Sequence, residues 1–376
     1  MEYKKYKLKE LLTIKNGKDH KKLAEGDYPV YGSGGYMRSV NSFLYDRTSV
    51  LLPRKGTLSN IQYVSGNPFW TVDTIYYTIL NENLYDPYYL FLYLNALDLS
   101  GYDSGASIPS MTSKTYYSLN VELPQKKIQT KVANIIRAYD NLIENNNKRI
   151  KLLEQMVENL YKEWFVRFRF PGYEAVGFEN GIPLGWKIKR IKNFGQVITG
   201  KTPSTEISSN YGDKYLFIKT PDMHDNMYVI DSSKKLSERG NDVQKLKKLP
   251  RWSIMVSCIG TGGVVSINSK EAHTNQQINS IVLHDENNIE WLFFVCKSLK
   301  TTIEMFGATG STMTNLSKGK FENLKILEPN LELINKFHMY THNIFKEIEK
   351  LMYSNENLIN QRDLLLPRLM SGKLEV

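Results

Sequence analysis

An internal repeat is the sequence feature that most constrains how this chain can fold. The segment SGASIPSMTSKTYYSLNVELP begins at Ser104, and a similar segment, TGSTMTNLSKGKFENLKILEP, begins at Thr309. We align the Ser-Lys dipeptides at 113 and 317, which lie 204 positions apart. The other aligned pairs are Ser107 with Ser311, Tyr117 with Phe321 and, after one inserted residue, Leu119 with Leu324, Val121 with Ile326 and Pro124 with Pro329. A match spread along both halves predicts two domains of one fold.

The similarity extends upstream at the same offset. RTSVLLPRKGT (47–57) aligns with RWSIMVSCIGT (251–261), so that Gly56 matches Gly260 and Thr57 matches Thr261. Aliphatic and β-branched runs of four to six residues that end at Gly or Pro favour a buried strand over a helix. We therefore expect a β-rich domain in each half.

A long amphipathic pattern follows each copy of the repeat. In the first half, apolar residues step mostly by three and four from Ile128 to Trp164, with one interruption at the polar ENNNKR (144–149). The second half keeps the pattern at an offset of 205, where Phe337 corresponds to Val132. A helix from 128 to 164 would be roughly 55 Å long at about 1.5 Å per residue, so it needs a partner outside its own domain. We expect the two helices to pair antiparallel.

The expected fold class is therefore α+β. Two pseudo-symmetric β-rich domains would be separated by two long antiparallel helices that form a coiled coil. Two similar domains related by an approximate two-fold axis suit a ligand that is itself an antiparallel double helix. The repeat thus points to DNA.

Composition agrees with this expectation and excludes other classes. The 376 residues contain 49 Lys and Arg against 39 Asp and Glu, and the net charge of +10 suits a polyanion. No stretch approaches the roughly 18 apolar residues of a membrane span, and the N-terminal MEYKKYKLKELLTI lacks a signal-peptide core. We therefore expect a cytoplasmic protein. Cys258 and Cys296 are too few for a disulfide framework and are expected in the core.

Several segments, taken in order, resemble the specificity subunits of type I restriction-modification systems. They are the two repeated segments, the junction LYKEWFVRFRFPG (160–172), GIPLGWKIKRI (181–191) and the ending LLLPRLMSGKLEV (364–376). The resemblance covers nearly the whole chain. It implies two target-recognition domains, at 1–124 and 171–329, each recognising one half of a split double-stranded DNA sequence. It also implies long helices at 125–170 and 330–376 that act as spacer and dock two modification (methyltransferase) subunits, with restriction (translocase and nuclease) subunits in the same assembly.

Motifs for catalysis, cofactors and metals are all incomplete. NPFW (67–70) lacks the second proline of the adenine-methyltransferase motif, and GTGG (260–263) lacks the third glycine of a dinucleotide loop. No phosphate loop for ATP occurs. His338 and His342 have zinc-ligand spacing, but HMYTH contains no glutamate and no third ligand, which favours a solvated helix face. We expect a binding protein with no catalytic residues, no cofactor and no metal.

Candidate DNA contacts lie in loops, because Arg and Lys bind guanine or phosphate, and Asn and Gln bind adenine. In the first half they are Lys18, His20, Lys21, Lys22, Ser33, Tyr36, Arg38, Arg54, Lys55 and Asn60. In the second half they are Lys201, Thr202, Lys219, Thr220, Asp222, Met223, Thr274, Asn275, Gln276 and Gln277. The three consecutive amides at 275–277 are costly to bury and suit an adenine edge, although an exposed polar turn explains them equally well.

Aromatic residues at the end of the first helix are candidate contacts for the modification subunits. These are Tyr161, Phe165 and Phe168, since apolar side chains outside a helix seam are typical of a docking surface. A docking surface would favour a specificity subunit over one alternative function, that of a stand-alone DNA-binding adaptor or regulator without methyltransferase partners. A nuclease or methyltransferase that acts alone is the other alternative.

Overall fold

The chain divides into two units that each contain one copy of the repeat. The computed structural model describes residues 2–102, 109–308 and 314–376, so the aligned Ser107 and Ser311 lie outside the described residues. Unit 1 comprises Met1–Leu142 and Leu358–Val376, and unit 2 comprises Ile143–Asn357. The boundaries fall inside the two long helices, so each unit contains a part of both.

Unit 1 is built from short strands and three short helices. Its elements are β1 (Tyr3–Lys7), α1 (Leu8–Leu11), β2 (Leu12–Asn16), β3 (Tyr28–Gly32), β4 (Gly35–Val40), β5 (Ser49–Pro53), β6 (Gln62–Val64), β7 (Trp70–Thr71), β8 (Ile75–Leu80), α2 (Pro87–Asn95), α3 (Ser113–Ser118), β9 (Asn120–Pro124) and the long α4 (Lys126–Tyr161). One sheet has the order β2-β8-β5-β6, another β4-β3-β7, and β1 pairs with β9. The central β5 is buried throughout, as its aliphatic sequence predicted.

Unit 2 repeats this plan with additional strands. Its elements are β10 (Phe178–Glu179), β11 (Ile182–Pro183), β12 (Lys187–Arg190), β13 (Gly195–Thr199), β14 (Tyr211–Gly212), β15 (Tyr215–Ile218), α5 (Thr220–Met223), β16 (Tyr228–Val229), β17 (Lys235–Leu236), α6 (Glu238–Val243), β18 (Ile254–Ser257), β19 (Ile259–Gly260), β20 (Val265–Asn268), β21 (Ala272–Thr274), β22 (Ile278–Leu283), α7 (Ile289–Ser298), α8 (Lys300–Gly307), β23 (Thr314–Asn315), α9 (Lys318–Glu322), β24 (Lys325–Glu328) and the long α10 (Leu331–Met370). The main sheets have the orders β13-β22-β18-β20-β16 and β14-β17-β15-β21.

Equivalent strands pair in the same way in both units. β2 is antiparallel to β8 as β13 is to β22, and the parallel pair β3 and β7 corresponds to β15 and β21. The pairs β1–β9 and β12–β24 also correspond. Gly56 and Gly260, aligned from the sequence, follow the equivalent strands β5 and β18 with φ of 91° and 81°. The predicted duplication is confirmed.

The sequence alignment is one residue out around α3 and α9. Thr112 and Ser317 are the equivalent residues, because each side-chain oxygen caps its helix by accepting a backbone N–H three residues later. Four residues beyond each cap, Tyr116 and Phe321 are both fully buried. The offset here is therefore 205, and the proposed pairing of Ser113 with Ser317 was wrong. The repeated Ser-Lys dipeptide suggested an offset of 204, whereas the positions of the helix caps give 205.

The long helices pair antiparallel where they meet inside each unit. In unit 2, Asn146 of α4 donates to Asn355 of α10 at 2.9 Å, and the next turn of α4 brings Arg149 to 3.2 Å from Glu347. Unit 1 has the ion pair between Asp140 and Arg362 at 2.7 Å. The antiparallel pairing is thus confirmed. The regular helix α4 ends at Tyr161, before a π-helical turn at Lys162–Val166, and so is slightly shorter than predicted.

Two expectations from composition concern the whole described chain. Within 2–102, 109–308 and 314–376, no helix combines the length and apolar character needed to cross a bilayer. Cys258 and Cys296 are both free thiols in the core of unit 2, and burial raises the pKa of the Cys258 thiol to about 11. Both cysteines are core residues, as predicted.

Candidate nucleic-acid interface

Three loops of unit 1 line a cleft of about 740 Å³. They are residues 19–21 after β2, 32–37 at the turn that joins β3 to β4 together with the adjoining strand ends, and 72–74 between β7 and β8. The cleft gathers four of the predicted DNA contacts, which are His20, Lys21, Ser33 and Tyr36. Sequence reasoning missed the third loop, because Val72, Asp73 and Thr74 carry no basic or amide side chain that would single them out.

Backbone contacts fix the first of these loops. A Cβ atom on Gly17 would lie 2.0 Å from the carbonyl oxygen of Val72, so only glycine permits this close approach. The Lys18 N–H donates to the Thr71 carbonyl at 2.8 Å, and the Trp70 indole donates to the Lys18 carbonyl at 2.8 Å. The end of β2 is therefore held against β7, which positions the lysines that follow.

The predicted contact side chains of unit 1 differ in their exposure to solvent. Lys18, Lys21, Lys22 and Lys55 are exposed, and the Tyr36 side chain is 63% exposed. Exposed ammonium groups suit phosphate oxygens. The cleft also contains acidic Asp19, whose pKa is lowered mainly by the hydrogen bond from the Lys21 N–H. A carboxylate repels phosphate but can accept a hydrogen bond from the cytosine amino group.

Three predicted contacts of unit 1 instead hold its own loops. The Arg38 guanidinium donates to the Leu23 carbonyl. The Arg54 guanidinium donates to the Asp73 carbonyl at 3.4 Å, and the Asn60 amide donates to the Ser33 carbonyl at 2.7 Å. These three side chains position the loops that carry the exposed groups.

Unit 2 contains the same loop arrangement. Gly200 corresponds to Gly17, and its Cβ would lie 2.2 Å from the carbonyl oxygen of Asn275. The Lys201 N–H donates to the Thr274 carbonyl at 2.9 Å, as the Lys18 N–H does to Thr71 in unit 1. The Thr202 hydroxyl donates to Gln276 at 2.7 Å. The two predicted loops at 199–206 and 273–280 therefore meet, and they present an exposed Lys201 and Gln276.

Four predicted contacts of unit 2 are buried. The side chains of Thr220, Met223, Thr274 and Asn275 are between 1% and 8% exposed. The Asn275 amide donates to the Gln277 side chain at 2.9 Å, and its oxygen accepts the Gln277 backbone N–H. Strand pairing and turn geometry place these four side chains inside the domain, and their role as contacts for bases remains a prediction.

Asp222 also has an internal role. Its carboxylate accepts the backbone N–H groups of Lys219 at 2.8 Å and Ser233 at 3.0 Å. It therefore closes the turn that begins α5. Of the predicted unit 2 contacts, Lys201 and Gln276 remain exposed, while Lys219, Thr202 and Gln277 are half-buried.

The aromatic side chains after α4 belong to the core of unit 2. Tyr161 and Phe165 are 7% and 8% exposed, and Phe165 contacts the rings of Phe337 at 5.0 Å and Trp186 at 6.1 Å between centroids. Phe168 is half-buried, with its ring 5.3 Å from Trp186. The rings pack inside unit 2, and their role in binding a modification subunit remains a prediction.

His338 and His342 also differ from the expectation of a solvated helix face. Both are half-buried, and each Nδ1 lies 2.8 Å from a different carboxylate oxygen of Glu290. Glu290 lies on α7, 48 residues before His338, so no local motif could have linked it to these histidines. A carboxylate from another helix therefore lies beside the two histidines, which the sequence motif did not show.

The sequence matches the family described as Type I restriction modification DNA specificity domain over residues 1–155 and 183–362. The chain belongs to this family. One matched segment falls in each copy of the repeat, so the specificity domain itself is what the sequence duplicates.

Individual relatives of the specificity family agree with this assignment. The Type I restriction enzyme HindI specificity subunit of Haemophilus influenzae is 31% identical over 361 residues, covering 78% of this chain and 79% of the relative. The MjaIX specificity subunit of Methanocaldococcus jannaschii is 26% identical over 383 residues, covering 95% and 86%. The crystal structure of the type I restriction-modification S subunit from M. genitalium has a TM-score of 0.66 at 15% identity, covering 98% of this chain and 96% of that one. This structural likeness shows a shared fold.

Proposed function

We propose that the chain is the DNA-recognition subunit of a type I restriction-modification system, and that each unit recognises one half of a split target. The observation that carries the proposal is the duplicated loop in which a closely packed glycine, Gly17 or Gly200, precedes an exposed lysine. Membership of the specificity family supports DNA as the ligand. Two copies of one loop arrangement suit two half-targets on opposite strands.

Different residue types have different roles at the DNA interface. Exposed lysines such as Lys21, Lys22 and Lys201 bind phosphates and set the position of the protein on the duplex. Gln276 and Tyr36, also exposed, are available for base edges. The recognised bases depend on these loop side chains, whereas α4 and α10, which continue from one unit into the other, set the spacing of the half-targets.

The proposed partners are modification subunits and restriction subunits, which perform the chemistry. The chain itself then serves in the cytoplasm as a non-catalytic adaptor between DNA and methyltransferase. With the junction aromatics in the core, the docking surface is assigned to exposed apolar residues of α4. Leu152 and Met156 are 65% and 56% exposed and lie one turn apart on the same face. A stand-alone DNA-binding regulator would not need such a surface.

An exchange of the recognition domain of unit 2 tests the proposal. Residues 182–320 would be replaced by the corresponding segment of a relative with a known target, and methylated adenines would be mapped in cells that express the modification subunit. We expect one half of the recognised sequence to change and the other half to remain. The reciprocal exchange in unit 1 is the control and should change the opposite half. A change in both halves from either exchange would contradict independent recognition by the two units.

A further inference from the structure

Glu290, His338 and His342 form a compact cluster inside unit 2. Glu290 lies in the first turn of α7 and is fully buried, while the histidines lie one turn apart on α10. The two imidazole rings are 4.5 Å apart, and one donor atom from each of the three side chains lies within 4.8 Å of the other two. The histidine side chains are 21% and 24% exposed, so solvent reaches one side of the cluster.

The fold itself does not require these three residues. Glu290 is the second residue of α7, and Tyr88 is the second residue of the equivalent helix α2 in unit 1. At the offset of the long helices, His342 corresponds to Arg137. In unit 1 the Arg137 guanidinium lies 4.6 Å from the Tyr88 ring centroid, and the Tyr88 hydroxyl donates to Asp140. The same joint between a short and a long helix is therefore made in unit 1 without a histidine and without a carboxylate on the short helix.

The buried carboxylate of Glu290 needs compensating partners inside unit 2. A charged carboxylate without water is unfavourable unless cations or donors compensate it. The nearby cations Arg251 and Lys346 contact the Trp252 ring at 4.6 and 5.9 Å from its centroid, and Arg251 is also paired with Glu349 at 2.8 Å. The direct partners of Glu290 are thus the two imidazoles, which are also good metal ligands.

We propose that Glu290, His338 and His342 bind a divalent transition-metal ion, with Zn²⁺ as the best-fitting ion. Two imidazole nitrogens and one carboxylate oxygen are a known zinc ligand set that leaves a fourth position for water. Ligands at about 2.0–2.1 Å from a tetrahedral ion lie roughly 3.3 Å apart. One donor atom from each of the three side chains already lies within 4.8 Å of the other two, so only small side-chain rotations are needed to surround an ion. The ion would connect α7 to α10, and its fourth position would face the solvent side.

Titration of the full-length, tag-free chain with Zn²⁺ after treatment with a chelator tests this proposal. Calorimetry should show one ion per chain, and Co²⁺ should give the visible absorption of a tetrahedral nitrogen and oxygen site. At a hundredfold excess over Kd, the Tm should rise by roughly 5–10 °C. Mg²⁺ should give no such change, because it prefers six oxygen ligands.

Matched variants identify the ligands. Glu290→Gln and His342→Asn should weaken Zn²⁺ binding at least tenfold, whereas His224→Asn, at an exposed histidine outside the cluster, should bind as the wild type does. Absence of stoichiometric Zn²⁺ binding in the wild type would overturn the proposal even if a variant fails to fold. Unchanged binding in a folded Glu290→Gln chain would overturn it as well, since the ion would then lie elsewhere.

Discussion

Replacing Gly200 with alanine tests how the recognition loop of unit 2 is held. The added Cβ would lie 2.2 Å from the Asn275 carbonyl oxygen and 2.3 Å from that of Thr274. Real Cβ atoms essentially never approach a neighbour closer than 3.0 Å, so the two segments must separate by about 0.8 Å. The Thr274 hydroxyl oxygen also lies at 2.3 Å, but the other two obstructing atoms belong to the backbone, so no side-chain rotation can relieve the contact.

The separation disrupts two hydrogen bonds as well as packing. The Lys201 N–H donates to Thr274 at 2.9 Å, and the Gly200 N–H donates to Ile278 at 3.2 Å. Overpacking costs about 1–3 kcal/mol, and each lost hydrogen bond costs about 0.5–1.5 kcal/mol. The free energy of unfolding should therefore fall by about 2–6 kcal/mol, which lowers the Tm of a unit of this size by roughly 5–20 °C.

Thermal and urea unfolding, followed by circular dichroism, measure this effect. Gly319→Ala is the control in the same unit, because no atom lies within 4 Å of its Cβ and the residue is in α9. That variant should be unchanged or more stable by up to about 1 kcal/mol, since alanine favours a helix. A Gly200→Ala chain as stable as Gly319→Ala would refute the close packing on which the loop assignment depends.

Three further predictions concern charge, packing and pH. Alanine at Lys21 and Lys22 should weaken binding to all DNA sequences and reduce the slope of log K against log salt by about 2, as measured by titration of labelled duplex. Phe165→Ala should lower the free energy of unfolding, measured in urea, by about 3–5 kcal/mol. Met156→Glu should leave the stability unchanged and abolish co-purification with the modification subunit. The opposite pattern would indicate that Phe165 is a docking residue. Burial lowers the pKa of His273 from 6.5 to about 4, so the unfolded chain binds more protons between these pH values. Stability should therefore fall on acidification through this range by up to about 1.4 kcal/mol per pH unit, and His273→Gln should reduce that slope.

Some binding residues could be identified from the sequence and others could not. Lys21 and Tyr36 were predicted from residue type and loop position, and both line the cleft of unit 1. Thr274 and Asn275 were selected for the same reasons but are buried, because β21 lies beside β15 and the following turn closes on Gln277. Residue type determines what a side chain can bind. Exposure depends on strand pairing between residues far apart in the sequence.

The polar interruption in the first helix was also located from the sequence but explained only by the structure. The sequence located it at 144–149 but could not show its purpose. Inside unit 2, Asn146 donates to Asn355, which in turn donates to Asn147 at 2.8 Å. A buried pair of amides at a helix interface favours one register, because any shift leaves the amides unpaired. Periodicity predicts a helix, whereas the partner across the interface determines what a polar residue does there.

The sequence by itself determined the duplication, the β-rich domains, the long antiparallel helices and the family, because these depend on local periodicity and on repeated segments. Tertiary structure decided which residues of α3 and α9 are equivalent, the burial of Phe165 and the contact of Glu290 with two histidines of α10. Glu290 reaches His342 across 52 residues of chain. Such contacts arise only when the packing of separate elements brings side chains together, and no short-range pattern in the sequence encodes that distance.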